Sequence, residues 1–119
     1  MQLYKKKIPR KTNLLELTPI LKVEFELSEN QNIVLLIPRF KSSFAQKYLI
    51  PKFRSKFIKA NLDEIGSSTF LLIDGKKNIF EISNLLKEKH GESVEPVYER
   101  VSKFIVYLFQ YGLVDFKEI

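Results

Sequence analysis

The sequence, 119 residues long, contains no cysteine, a single histidine, a single methionine and only four glycines. Without cysteine there are no disulfides, iron–sulfur clusters or thiolate zinc sites. One histidine leaves no set of imidazoles for a metal centre. Long apolar runs are missing as well, since nothing approaches the ~20 residues that cross a bilayer. The opening MQLYKKKIPRKT carries charge without the apolar stretch of a signal peptide, so a cytoplasmic protein is the expectation.

What is present is apolar bulk. Hydrophobic residues make up 45% of the chain and ten phenylalanines supply large buried area per side chain. A chain of this length is sized for one domain and needs no covalent staple. Its net charge of +6 is unevenly placed: residues 1–62 hold 13 Lys and Arg against 4 acidic residues, whereas residues 63–119 hold 7 against 10. An acidic partner is therefore to be sought on the N-terminal half.

The stretch 62–116 reads as three helices with their ends written in local chemistry. The first, over 64–73, opens at Asp63 and stops at the turn pair Asp74-Gly75. The second, over 79–90, begins with Asn78-Ile79-Phe80-Glu81, the pattern of a capping box, and ends at Gly91. Lys87, Lys89 and His90 fall in its last turn, where cations meet the negative end of the dipole. The third, over 96–111, takes Pro96 into its first turn and stops at Gly112, with Val97, Val101, Phe104, Ile105 and Leu108 as its inner stripe.

Before these helices the signals are of strands. Residues 22–27 alternate, with Val23, Phe25 and Leu27 on one face and Lys22, Glu24 and Glu26 on the other. Residues 28–32 form the turn, and 33–37 is an apolar run long enough for one buried strand. Residues 57–62 predict a third strand. The segment 39–56 interleaves aromatic and basic residues and reads as an insertion that covers the sheet, with a lipid surface, nucleic acid or an acidic peptide as the other readings. Residues 1–20 show no sustained period and read as a basic arm ahead of a domain over 21–119. The fold expected is α+β and winged-helix-like, a three-stranded antiparallel sheet followed by three helices.

No catalytic constellation emerges. Asp74 and Glu81 sit where a turn and a cap require them, and His90 lies in a helix's last turn. Asp74-Gly75-Lys76-Lys77 lacks the glycine run and the Ser or Thr of a phosphate loop. The chain is not expected to be an enzyme, and no cofactor is expected.

The ordered set Leu62, Gly66-Ser67, Phe70, Leu72, Asp74-Gly75, Ile79, Glu81-Ile82, Leu86, Gly91, Val94, Val101, Phe104, Leu108 and Gly112-Leu113 resembles the PqqD family of pyrroloquinoline quinone biosynthesis and the related RiPP precursor peptide recognition elements. It covers about residues 57–116. The resemblance implies a non-catalytic adaptor that binds the leader of a ribosomally made precursor peptide. The leader joins the sheet edge as an extra strand, beside the third helix, and is presented to a modifying enzyme such as a radical SAM protein. The long 39–56 connection and the arm before residue 20 depart from the compact family pattern and imply a divergent branch.

On that reading Ile58, Lys59, Ala60 and Asn61 would pair with the guest, and Tyr98, Ser102, Ile105 and Phe109, which follow one line along the third helix, would wall the groove. The alternatives for these aromatics are packing on 39–56 or on a second copy, and a homodimer through the sheet edge or the arm is open. Arg54, Lys56 and Lys59 would attract an acidic leader. The main rival is a DNA-binding winged helix. It ranks second because the third helix offers Arg100 and Lys103 against Glu95 and Glu99, and its second half is aromatic rather than polar.

Overall fold

The computed structural model describes residues 8–9, 12–38 and 57–119, with the backbone alone at 38, 57 and 58. The 39–56 insertion, with Arg54 and Lys56, lies outside the described residues. In chain order the elements are a 3-10 turn (Leu14–Glu16), β1 (Pro19–Leu21), β2 (Glu24–Leu27), β3 (Ile33–Pro38), β4 (Phe57–Asn61), α1 (Glu64–Leu71), α2 (Ile79–His90), a second 3-10 turn (Gly91–Val94), α3 (Val97–Gln110) and β5 (Val114–Phe116). The sheet β2-β3-β4 is antiparallel and is followed by the three helices, the α+β arrangement that the sequence predicts. The chain divides into a sheet unit, Val23–Asp63, and a helical unit built from the segments on either side of it.

Helix α2 starts where its capping box says it should. The Asn78 side chain accepts from the Glu81 N–H at 2.9 Å and the Glu81 carboxylate accepts from the Asn78 N–H at 3.0 Å, so two otherwise orphaned donors are satisfied together. The turn before it is held by Asp74, which accepts from the Lys76 and Lys77 N–H groups at 2.8 and 3.0 Å and from the Lys77 ammonium at 2.6 Å. That side-chain bond from Lys77, followed by the two backbone donors, holds the Asp74 carboxyl well below the usual range. Helix α1 ends earlier than 73, because the Leu72 and Ile73 N–H groups bond back three residues, to Thr69 and Phe70, in a tightened last turn.

Helix α3 closes with Gly112 at φ +76, a conformation that costs a side chain dearly. The Leu113 N–H donates to the Leu108 carbonyl at 2.9 Å and the Gly112 N–H to the Phe109 carbonyl at 3.0 Å, the double bond pattern of a Schellman stop. Its buried stripe is Val97, Val101, Ile105, Leu108 and Phe109. Phe104, read as core, is only half-buried. With Phe70, Ile79, Ile82, Leu86, Val94 and Phe116, these residues supply the buried apolar side chains of the helical unit.

The helical unit also contains a pairing that no local pattern announces. β1 runs antiparallel to β5, with Pro19 opposite Phe116 and Leu21 opposite Val114. Lys22, read as the first residue of the hairpin, instead donates from its N–H to the Leu113 carbonyl at 2.9 Å, which is why β2 begins only at Glu24. Thr18 seals the far end: its N–H and hydroxyl each donate to the Glu118 carboxylate at 2.7 Å. Burial disfavours the charged form of Glu118, but the two Thr18 bonds outweigh it and leave the carboxyl below its ordinary range. Leu17 is buried and its carbonyl accepts from the Ile79 N–H at 2.9 Å, tying the N-terminal segment to the start of α2.

Within the sheet unit, β2 and β3 form a hairpin whose loop puts Gln31 at φ +68. Ile33, Val34 and Leu35 are buried, whereas every residue of β2 is exposed.

Candidate functional site

The strand edge is where backbone chemistry is left over. β4 pairs antiparallel with β3, with Val34 opposite Asn61, Leu35 opposite Ala60 and Leu36 opposite Lys59. The Leu62 N–H donates to the Ile33 carbonyl at 2.9 Å, so Ile33 and Leu62 form a hydrogen-bonded pair. Because such pairs alternate along an antiparallel ladder, Ala60 and Ile58 also turn their backbone groups toward β3. Lys59 and Asn61 turn theirs the other way. Among the described residues β4 has no neighbour on that side, and a strand edge of this kind can accept another strand.

The side chains on this edge alternate too. Lys59 and Asn61 are exposed and Ala60 is half-buried on the opposite face, level with the buried Leu35. The Lys59 ammonium lies 3.2 Å from a Glu26 carboxylate oxygen, reaching across β3 to β2. Glu26 was not singled out by the sequence. Its role appears only with the register, since Glu26 and Asn61 both sit opposite Val34 and Lys59 is the diagonal neighbour. A shallow depression of about 410 Å³ lined by Ser28, Glu29, Asn30, Asn32, Asn61 and Leu62 adjoins the C-terminal end of the strand.

The other predicted residues lie in the helical unit, on α3. Tyr98 is 39% exposed and stacks on Phe80 of α2, with ring centroids 5.6 Å apart and planes 4° from parallel. Its hydroxyl donates to the Asn84 side chain. Ser102 is half-buried. Ile105 and Phe109 are 0% and 4% exposed, and Phe109 packs on Phe116 with centroids 4.7 Å apart. Of the predicted wall, Tyr98 and Ser102 present surface and Ile105 and Phe109 supply core. Phe80 and Asn84 were missed, although their spacing of four on the outer face of α2 is a readable signal.

The cations of α3 are occupied locally. Arg100 donates to the Ser93 carbonyl at 3.0 Å and the Lys103 ammonium lies 3.9 Å from Glu99, a poor arrangement for reading a DNA groove. Lys87 at the end of α2 pairs with Glu95; the hydrogen bond and charge of that carboxylate raise the ammonium's pKa, and the same bond lowers that of Glu95. His90 Nε2 lies 3.1 Å from the Ser68 hydroxyl and joins α2 to α1. Among the described residues no cluster of three metal-ligating side chains forms, and no helix is long and apolar enough to cross a membrane.

No curated protein and no solved structure matches the chain. A family model does: residues 57–114 match the one described as coenzyme PQQ synthesis protein D (PqqD), beginning at β4 and running through all three helices to β5. Over that span, which begins on the edge strand and ends after the Schellman stop of α3, the sequence is PqqD-like.

Proposed function

We propose that this chain is a non-catalytic adaptor that captures the leader of a ribosomally made precursor peptide as an added strand on β4 and presents it to a modifying enzyme, a radical SAM protein being the leading class. The observation that carries the reading is the outward row of backbone groups at Lys59 and Asn61, on a strand that opens the span matched by the PqqD model. Strand addition draws affinity from main-chain hydrogen bonds and selectivity from alternate side chains, and an unpaired edge supplies both. The family description, coenzyme PQQ synthesis protein D, supports a setting in coenzyme PQQ synthesis, and on our reading the work of this chain there is accessory rather than catalytic. Ala60 and the backbone of Ile58 on β4, and separately Tyr98 and Ser102 of α3, are the further residues we assign to peptide binding.

The test is backbone NMR of the labelled chain, titrated separately with the peptide encoded beside its gene and with mixed duplex DNA at moderate salt. Shifts at the Lys59 and Asn61 amides and at Tyr98 with peptide alone are expected. Shifts with DNA on the basic residues, and none with peptide, would overturn the adaptor in favour of a DNA binder.

A further inference from the structure

The ladder fixes more than the existence of an edge; it fixes which guest side chains meet which residues of this chain. Lys59 and Asn61 carry the outward N–H and C=O groups, so the residue of an antiparallel guest opposite either of them exchanges both hydrogen bonds with it, whereas a parallel guest bonds it through the residues on either side of that level. Side chains at one level of adjacent strands project from the same face, so that guest residue lies beside Lys59 and Asn61, on the face that also bears Glu24 and Glu26. The guest residue between those two levels falls level with Ala60 and lies on the face of Ala60, Leu35 and Leu62. The assignment holds for a parallel or an antiparallel guest, because it depends only on the two-residue period of a strand.

The two faces differ in chemistry. On one, Lys59 is the nearest cation among the described residues, and its pairing with Glu26 is exposed on both sides, at 60% and 49%, which makes it a weak contact that a second carboxylate can share or replace. On the other, Ala60, the smallest side chain on β4, and Leu62 are half-buried and apolar, and an apolar guest residue level with Ala60 lies beside them. Resting on the strand-addition reading above, we propose that β4 selects guests by alternation: a carboxylate on the Lys59 face, an aliphatic residue on the Ala60 face. Lys59 is the specificity-determining residue, and Glu26 is a resident competitor that occupies it until the guest arrives.

Four fluorescein-labelled ten-residue peptides, alternating Glu-Val, Lys-Val, Gln-Val and Glu-Ser, would be titrated into the full chain by anisotropy and followed by the amide shifts of Lys59 and Asn61. Glu-Val should bind about three- to tenfold more tightly than Lys-Val, as cross-strand charge pairs allow, with Gln-Val between them and Glu-Ser weaker than Glu-Val. Lys59→Gln, which puts no carboxylate beside Glu26, should erase the preference for Glu-Val over Lys-Val. Glu26→Gln should strengthen Glu-Val binding by about twofold. Equal binding of Glu-Val and Lys-Val, or a preference that survives Lys59→Gln, would overturn the alternation rule while the edge shifts upheld strand addition. If neither these four peptides nor the gene-encoded one moved the Lys59 and Asn61 amides, strand addition itself would fail and the rule with it.

Discussion

In the helical unit each terminus of α2 and α3 is met by chemistry drawn from nearby: Asn78 and Glu81 at one end of α2, Gly91 at the other, Glu95, which accepts from the Val97 N–H at 3.0 Å, at the start of α3, and Gly112 after it. The N-terminal segment is secured by Leu17, Thr18 and the β1–β5 pairing. In the sheet unit, by contrast, β2 is exposed along its whole length and β4 turns Lys59 and Asn61 outward. The difference separates two kinds of stability. The first unit meets its helix ends with its own polar groups and gains a fixed geometry, whereas among the described residues the second leaves a row of backbone groups on β4 with no neighbouring strand.

That contrast can be broken most forcefully in the core. Phe70→Ala removes a fully buried ring from the helical unit and should cost about 3–5 kcal/mol in urea unfolding. Leu27→Ala, at a position 59% exposed on β2, should stay within about 0.5 kcal/mol. Comparable losses would show that the exposed strand is structurally committed after all. Next in size, Glu118→Gln should cost about 1 kcal/mol, less than a fully buried charged hydrogen bond because the site is open to water. The sign of its pH dependence follows from the lowered pKa: the stabilisation is complete above the ordinary glutamate range and is lost as pH falls through the lower folded value. Wild type should therefore lose more stability than Glu118→Gln between about pH 5 and pH 3, and parallel curves would remove Glu118 from the account.

Smaller effects sharpen the comparison. Asn78→Ala takes away one half of the capping box and should lower stability by about 1 kcal/mol, with amide exchange quickening in the first turn of α2 before anywhere else. Gln31→Gly should do the opposite in the sheet unit. It relieves a left-handed residue in the hairpin loop and should raise the unfolding midpoint by the equivalent of up to about 1 kcal/mol, the added freedom of glycine in the unfolded chain limiting the gain. A fall in the midpoint would mean that the Gln31 side chain holds the loop by contacts worth more than its backbone conformation costs.

The contrast also explains what the sequence made legible. Asn78-x-x-Glu81, Gly91 and Gly112 act within a few residues of themselves, and the second helix emerged over the same residues as its signals predicted. The alternation of β2 and the apolar run of β3 were equally local. The pairing of β1 with β5 was not, because strands of three residues carry no period and Pro19 finds its partner only at Phe116. The same distant strand decides between Phe104 and Phe109: both stand at reasonable core positions on α3, and it is Phe116, delivered by β5, that covers the second. At the site, the identity of the edge strand could be read in advance. Which of its residues face outward could not, since that parity depends on the pairing of Ile33 with Leu62, and the same pairing places Glu26 near Lys59.

The β1–β5 pairing has a further consequence for how the chain is made. As synthesis proceeds from the N-terminus, all three strands of the β2-β3-β4 sheet are available once Asn61 has emerged, and their ladders can form within that segment alone. β1 emerges earlier than any of them yet has no strand to join until Val114–Phe116 leaves the ribosome, and Thr18 must wait longer still for Glu118. A strand translated before the sheet is thus paired only after it, so a chain stalled short of Val114 would carry the β4 edge before it carried a finished helical unit.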